Sequence, residues 1–158
     1  MDIKVFSTEA VIEIEGVKYH HHPNGGGLVA ETATAAESAF IGPFAKVCGN
    51  ARVFGESYVF GTSWIFDNAE VFESAQVFGN ARVFGNARVY GESKVYGYTK
   101  VFGDARVSGF AEVYDFAEVS GHARVSGNAR VSGTIKLSGE DRIYGKMRVP
   151  GERETVLQ

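Results

Sequence analysis

The sequence predicts an all-β protein, a parallel β-helix wound from short strands, and three observations predict it. From Val29 to Val149 an apolar residue returns at every sixth position, with no insertion or deletion. Two positions before it stands a small residue, as at Ala45, Ala51, Ser57, Ala81, Ala87, Ser93 and Ala123. Two positions after it glycine dominates, followed by a polar residue such as Asn50, Asn80, Asn86 or Asn128. A fixed hexapeptide period is a solenoid signature, because one unit cannot bury its apolar face alone and its neighbours must cover it.

Each hexapeptide reads as one strand and one corner. Successive strand residues point to opposite faces, so the small and the aliphatic residues face inward and their flanking neighbours outward. Glycine and asparagine both accept positive φ, which assigns them the corners. Before the repeat, KVFSTEAVIEIEGVKYHHH reads as two or three strands with a tight turn at Glu15-Gly16. This hairpin is expected to cover the first coil, with PNGGG as a flexible entry. At the far end Ile135, Asp141 and Met147 replace the small residue, as expected of an atypical terminal repeat. The expected organisation is capping strands and a Gly-rich entry over 1–28, the β-helix over 29–150, and a short tail over 151–158.

At 158 residues the chain fits one domain with a substantial core. A net charge of −3 argues against nucleic acid as a partner. The single cysteine, Cys48, excludes an internal disulfide and suits a reducing compartment. The N-terminal residues MDIKVFSTEAVIEIEG lack the basic and apolar pattern of a signal peptide, and no run of 18 apolar residues exists to span a membrane. The expectation is a cytoplasmic protein with no membrane partner.

The small-x-aliphatic pattern in sixes resembles the hexapeptide-repeat superfamily of left-handed parallel β-helices. Its G-N-A-R-V-[FYS] form, as in GNARVFGNARV at 79–89, resembles the YdcK-like sub-group of bacterial and phage proteins, usually labelled transferases. The resemblance covers roughly residues 24–150. It implies a left hand, three hexapeptides per triangular coil and about seven coils, a prism roughly 30–35 Å long at ~4.8 Å per coil. It also implies association, most often as trimers.

Three hexapeptides per coil place residues 18 apart in one column. Twelve of the 16 basic residues fall just before the aliphatic slot, so cationic charge collects in outward columns. Arg88, Arg106, Arg124 and Arg142 are expected to form one such ladder, with Tyr90, Ser108, Ser126 and Tyr144 beside it. Like charges at strand spacing repel, and a phosphate-bearing, nucleotide-like anion would relieve them by bidentate contacts. The position after the slot is aromatic in nine successive units from Phe54 to Phe102, then mostly serine. Such rings stack as ladders along the solenoid or form an apolar association surface. The column Phe60, Phe78, Tyr96 and Tyr114 is the expected contact between copies.

Catalytic candidates are few. His20, His21 and His22 alternate in a strand, so no more than two share a face, and no metal site is expected. His122 replaces a corner asparagine and is the one histidine in the repeat available as a general base. The superfamily's acyltransferases commonly add a loop protruding from the coil and a C-terminal helix, and this chain has no loop insertion. No P-loop or GxGxxG motif is present, and fold alone does not assign an activity. The sequence favours a non-catalytic, self-associating binding or scaffold solenoid without a cofactor. An acyltransferase working at a subunit interface and a structural phage or spike module are the alternatives.

Overall fold

The computed structural model describes residues 10–150. The chain opens with a hairpin, β1 (Ile12–Ile14) and β2 (Val17–His21), followed by β3 (Leu28–Ala30). Twenty two-residue strands follow, from Thr34–Ala35 to Arg148–Val149, each comprising the aliphatic residue and the one before it. Together with β3 they stack into three parallel sheets, so every third hexapeptide adds a strand to the same face. The first face runs through Val29, Val47, Ile65, Val83, Val101, Val119 and Leu137, the second from Ala35 to Ile143, and the third from Ile41 to Val149. This is a parallel β-solenoid, as the period predicts, of about seven coils, as the resemblance implies.

The core is a column of interlocked small and aliphatic side chains. Every aliphatic residue from Ile41 to Val131 is fully buried, and so are the alanines between Ala51 and Ala129. Where the small slot is polar, a hydroxyl satisfies itself on the preceding corner. Ser57, Ser63, Ser93 and Thr99 donate to the carbonyls of Phe54, Phe60, Tyr90 and Tyr96 at 2.7–2.9 Å. Buried polar groups must be paired in this way. Outward positions carry ring ladders. Phe54–Phe72–Tyr90, Phe60–Phe78–Tyr96–Tyr114 and Phe66–Phe84–Phe102 stack at 4.7–5.1 Å between centroids, within 5° of parallel.

The corners differ from expectation in one respect. Positive φ falls on the residue two after the aliphatic slot, such as Gly79 at 70°, and not on the asparagine that follows. A Cβ at Gly79 would meet the Gly97 nitrogen at 2.8 Å, so coil-to-coil approach as well as φ selects glycine. Three carboxylates hold this strained slot instead: Asp67, Glu73 and Asp115 at φ 59–64°. Each accepts a hydrogen bond from the corner amide one coil ahead, at Gly85, Gly91 and Gly133, over 2.8–3.1 Å.

Both ends have their own chemistry. Glu15-Gly16 turns with positive φ at both residues, the geometry of a tight hairpin turn. β2 pairs antiparallel with β3 and extends the first face. The PNGGG entry is not flexible slack. Ile41 donates to the Asn24 carbonyl at 3.0 Å, Gly27 donates to that of Ile41 at 2.9 Å, and a Cβ on Gly25 would overlap the Ile41 carbonyl. The segment lies against the Ile41 backbone too closely for a Cβ at Gly25 or Gly27, which requires glycine. At the far end, Asp141 accepts from the Ser138 amide at 2.9 Å and the Met147 sulfur from the Tyr144 amide at 3.3 Å. The equivalent position on the third face is Pro150, which has no amide hydrogen. The residues that break the repeat therefore occupy or remove one of the three amide donors that each hexapeptide elsewhere gives to the next coil.

Candidate functional site

The arginine column lies on the second face, and its register follows from the solenoid. Arg88, Arg106, Arg124 and Arg142 are successive Cα partners. The column also contains Glu70, between Arg52 and Arg88. Glu70 lies 3.4 Å from both guanidinium groups, so it neutralises the start of the ladder. Sequence reasoning placed the carboxylates at corners and missed this one, although its number is 18 below that of Arg88. Among the described residues, Arg106, Arg124 and Arg142 make no ion pair. Beside them run Tyr90, Ser108, Ser126 and Tyr144; Tyr90 closes the ring ladder from Phe54 and Phe72. The face is thus aromatic over its first half and open, with hydroxyls, beside Arg106 and Arg124. Free guanidinium groups flanked by hydroxyls can hold a compact anion.

The third-face column, Phe60, Phe78, Tyr96 and Tyr114, is a continuous intramolecular ladder with each ring half-buried. The Tyr96 hydroxyl donates to Glu112 at 3.4 Å. Burial first, and then the Glu112 charge, push the Tyr96 pKa above its ordinary value. These rings have a stabilising role within one chain, and their outer edges remain available to a second copy.

Two of the histidines are occupied structurally. His22 is buried and its Nε2 donates to the Ala39 carbonyl at 3.0 Å. His21 Nδ1 donates to that of Gly26 at 2.8 Å. Both tie the entry segment down, a role that alternation alone did not reveal. His122 stands on an exposed corner with Nδ1 3.8 Å from Asp104. Among the described residues no three metal-ligating side chains converge. No helix there is long and apolar enough to cross a membrane.

The first face holds two features that the columns did not predict. Trp64 carries Lys46 at 4.9 Å and Arg82 at 5.3 Å over its ring, and its Nε1 donates to the Cys48 sulfur at 3.0 Å. Farther along, a groove of about 440 Å³ separates this face from the preceding corner. The signal was present in the sequence as Tyr98 and Phe116, two corner rings 18 apart.

A family model described as the YdcK Beta solenoid repeat matches residues 75–91, 81–97 and 117–133. No curated protein matches the chain, and no solved structure does. The matched segments lie within the stacked coils, and the chain carries a YdcK-like β-solenoid repeat.

Proposed function

We propose that this chain is a non-catalytic, cytoplasmic β-solenoid scaffold that self-associates as a trimer and holds a compact, nucleotide-like anion on its arginine column. The observation that carries the ligand reading is the run of Arg106, Arg124 and Arg142. They stand in register, have no carboxylate partner among the described residues, and are bordered by Ser108 and Ser126. An anion bridging two guanidinium groups would exchange like-charge repulsion for charge-assisted hydrogen bonds. Binding is expected to weaken as salt rises. Calorimetry against mono-, di- and cyclic nucleotides tests it, with Arg106→Glu/Arg124→Glu as the control. Absence of binding, or equal binding by the double variant, rejects the ligand.

Association is supported by the outward apolar columns, Phe60 to Tyr114 among them, and by Tyr58, which is 48% exposed on the same face. The expected sedimenting species has about three times the 17.1 kDa of one chain. A monomer at micromolar concentration would leave the rings as ladders alone.

A further inference from the structure

The groove on the first face differs in kind from the arginine column. It is lined by Asn80, Arg82, Tyr98, Lys100, Phe116 and Glu118, and its volume lies within the range of small-molecule sites. Tyr98 and Phe116 stack at 5.2 Å with 6° between planes, yet remain 58% exposed. Their stack runs along the solenoid, with Phe116 covering one face of Tyr98. The other face looks toward the previous coil, where the same corner position holds the short Asn80. The ladder thus breaks off at an open ring face inside the groove.

Polar groups stand around that face in fixed places. The Asn80 side-chain oxygen accepts from the Thr62 hydroxyl, which leaves its amide N–H₂ as a donor. Arg82 and Lys100 are Cα partners on the adjacent strands, and neither makes an ion pair among the described residues. Arg82 lies over Trp64 at 5.3 Å from the ring centre, and a guanidinium in such a cation–π contact still has N–H groups to offer an anion. Glu118, the next residue in that column, offers an acceptor at the far end.

We propose that this groove is a second ligand site, for a planar ring carrying a phosphate or carboxylate. The ring continues the stack on Tyr98 in the space above Asn80, and the anion is held by Arg82 and Lys100. An open ring face next to cations selects such a ligand over a bare anion, which has nothing to stack, and over a neutral ring, which leaves the cations unpaired. The site is on a different face from Arg106 and Arg124 and does not depend on their binding anything.

Trp64 is the only tryptophan in the chain, and its contact with Arg82 makes it a built-in reporter. The experiment titrates the full-length protein with adenosine monophosphate, adenosine and inorganic phosphate, following Trp64 emission and heat on the same sample. Saturable binding of the monophosphate is expected, at least tenfold tighter than of either fragment. Arg82→Gln and Tyr98→Ser should each weaken it tenfold or more, Tyr98→Phe should keep it, and Arg130→Gln on the third face should leave the Trp64 response within twofold. Tyr98 sits on an exposed corner, and circular dichroism checks that its variants fold. The proposal is overturned if neither signal saturates by millimolar monophosphate, if Tyr98→Ser binds like the wild type, or if phosphate alone binds as tightly.

Discussion

At the scale of single residues, the corner carboxylates separate two contributions that usually come together. Glu73 has φ 60°, a conformation costing a non-glycine residue of the order of 1 kcal/mol, and its Oε1 accepts from the Gly91 amide at 2.8 Å. Glu73→Ala keeps the strain and loses the acceptor, so a loss of about 0.5–1.5 kcal/mol in urea unfolding is expected. Glu73→Gly loses the same bond but relieves the strain, and should come within a few tenths of wild type. Equal stability of the two variants would refute this division. Tyr96 supplies the pH counterpart. Its folded-state pKa lies above the unfolded value, so the native state holds the phenolic proton more tightly. That contribution is complete below about pH 10 and is lost as pH rises through the folded pKa. Melting curves from pH 8 to 11 should fall less steeply for Tyr96→Phe than for wild type.

At the scale of elements, the strands were legible and their ends were not. A period of six identifies Val89 as inward and Arg88 as outward without reference to any contact, because alternation along a strand fixes both. Register 18 apart then yields the ladders from Phe54, Phe60 and Phe66. The terminal roles of His22, Asp141 and Met147 escape such reasoning, since each depends on a single side chain meeting a particular backbone group. Trp64 beneath Lys46 and Arg82 was hidden for a similar reason: outward positions vary freely, and only the stacked coils show which variants meet. The Asp141 role is open to test. Asp141→Ala should speed hydrogen exchange at the Ser138 amide and cost about 0.5–1.5 kcal/mol, with Arg124→Ala, one coil away on the second face, as a control leaving that amide unchanged. Unaltered exchange in Asp141→Ala would mean that the edge is protected by other means.

For the whole molecule, stability is distributed along one axis and each coil depends on its neighbours. Val89 is fully buried between two partners on its face, so Val89→Asp places an unpaired charge in the central coils and is expected to abolish cooperative folding. Arg88→Ala removes a side chain 46% exposed and one contact with Glu70, an effect expected below about 1 kcal/mol. Thermal unfolding distinguishes them, and similar curves would refute the inward and outward assignment.

The uninterrupted period also makes the molecule a screw with a countable thread. Excising the 18 residues 79–96 removes one full turn and brings Phe78 against Gly97 in the same phase as before. Every downstream residue then keeps its face, and a shorter folded solenoid is expected. Excising only the six residues 79–84 rotates everything beyond the cut by a third of a turn. Arg88, Arg106, Arg124 and Arg142 would then follow Lys46 and Trp64 in one column, while Lys100 and Glu118 would follow Gln76. The core tolerates both cuts, because valine meets valine either way. Both cuts remove Asn80 and Arg82 and leave Arg106, Arg124 and Arg142 together, but columns that cross the cut stay in phase after the first and are re-paired after the second, so comparing the two deletions separates what the fold requires from what the surface encodes.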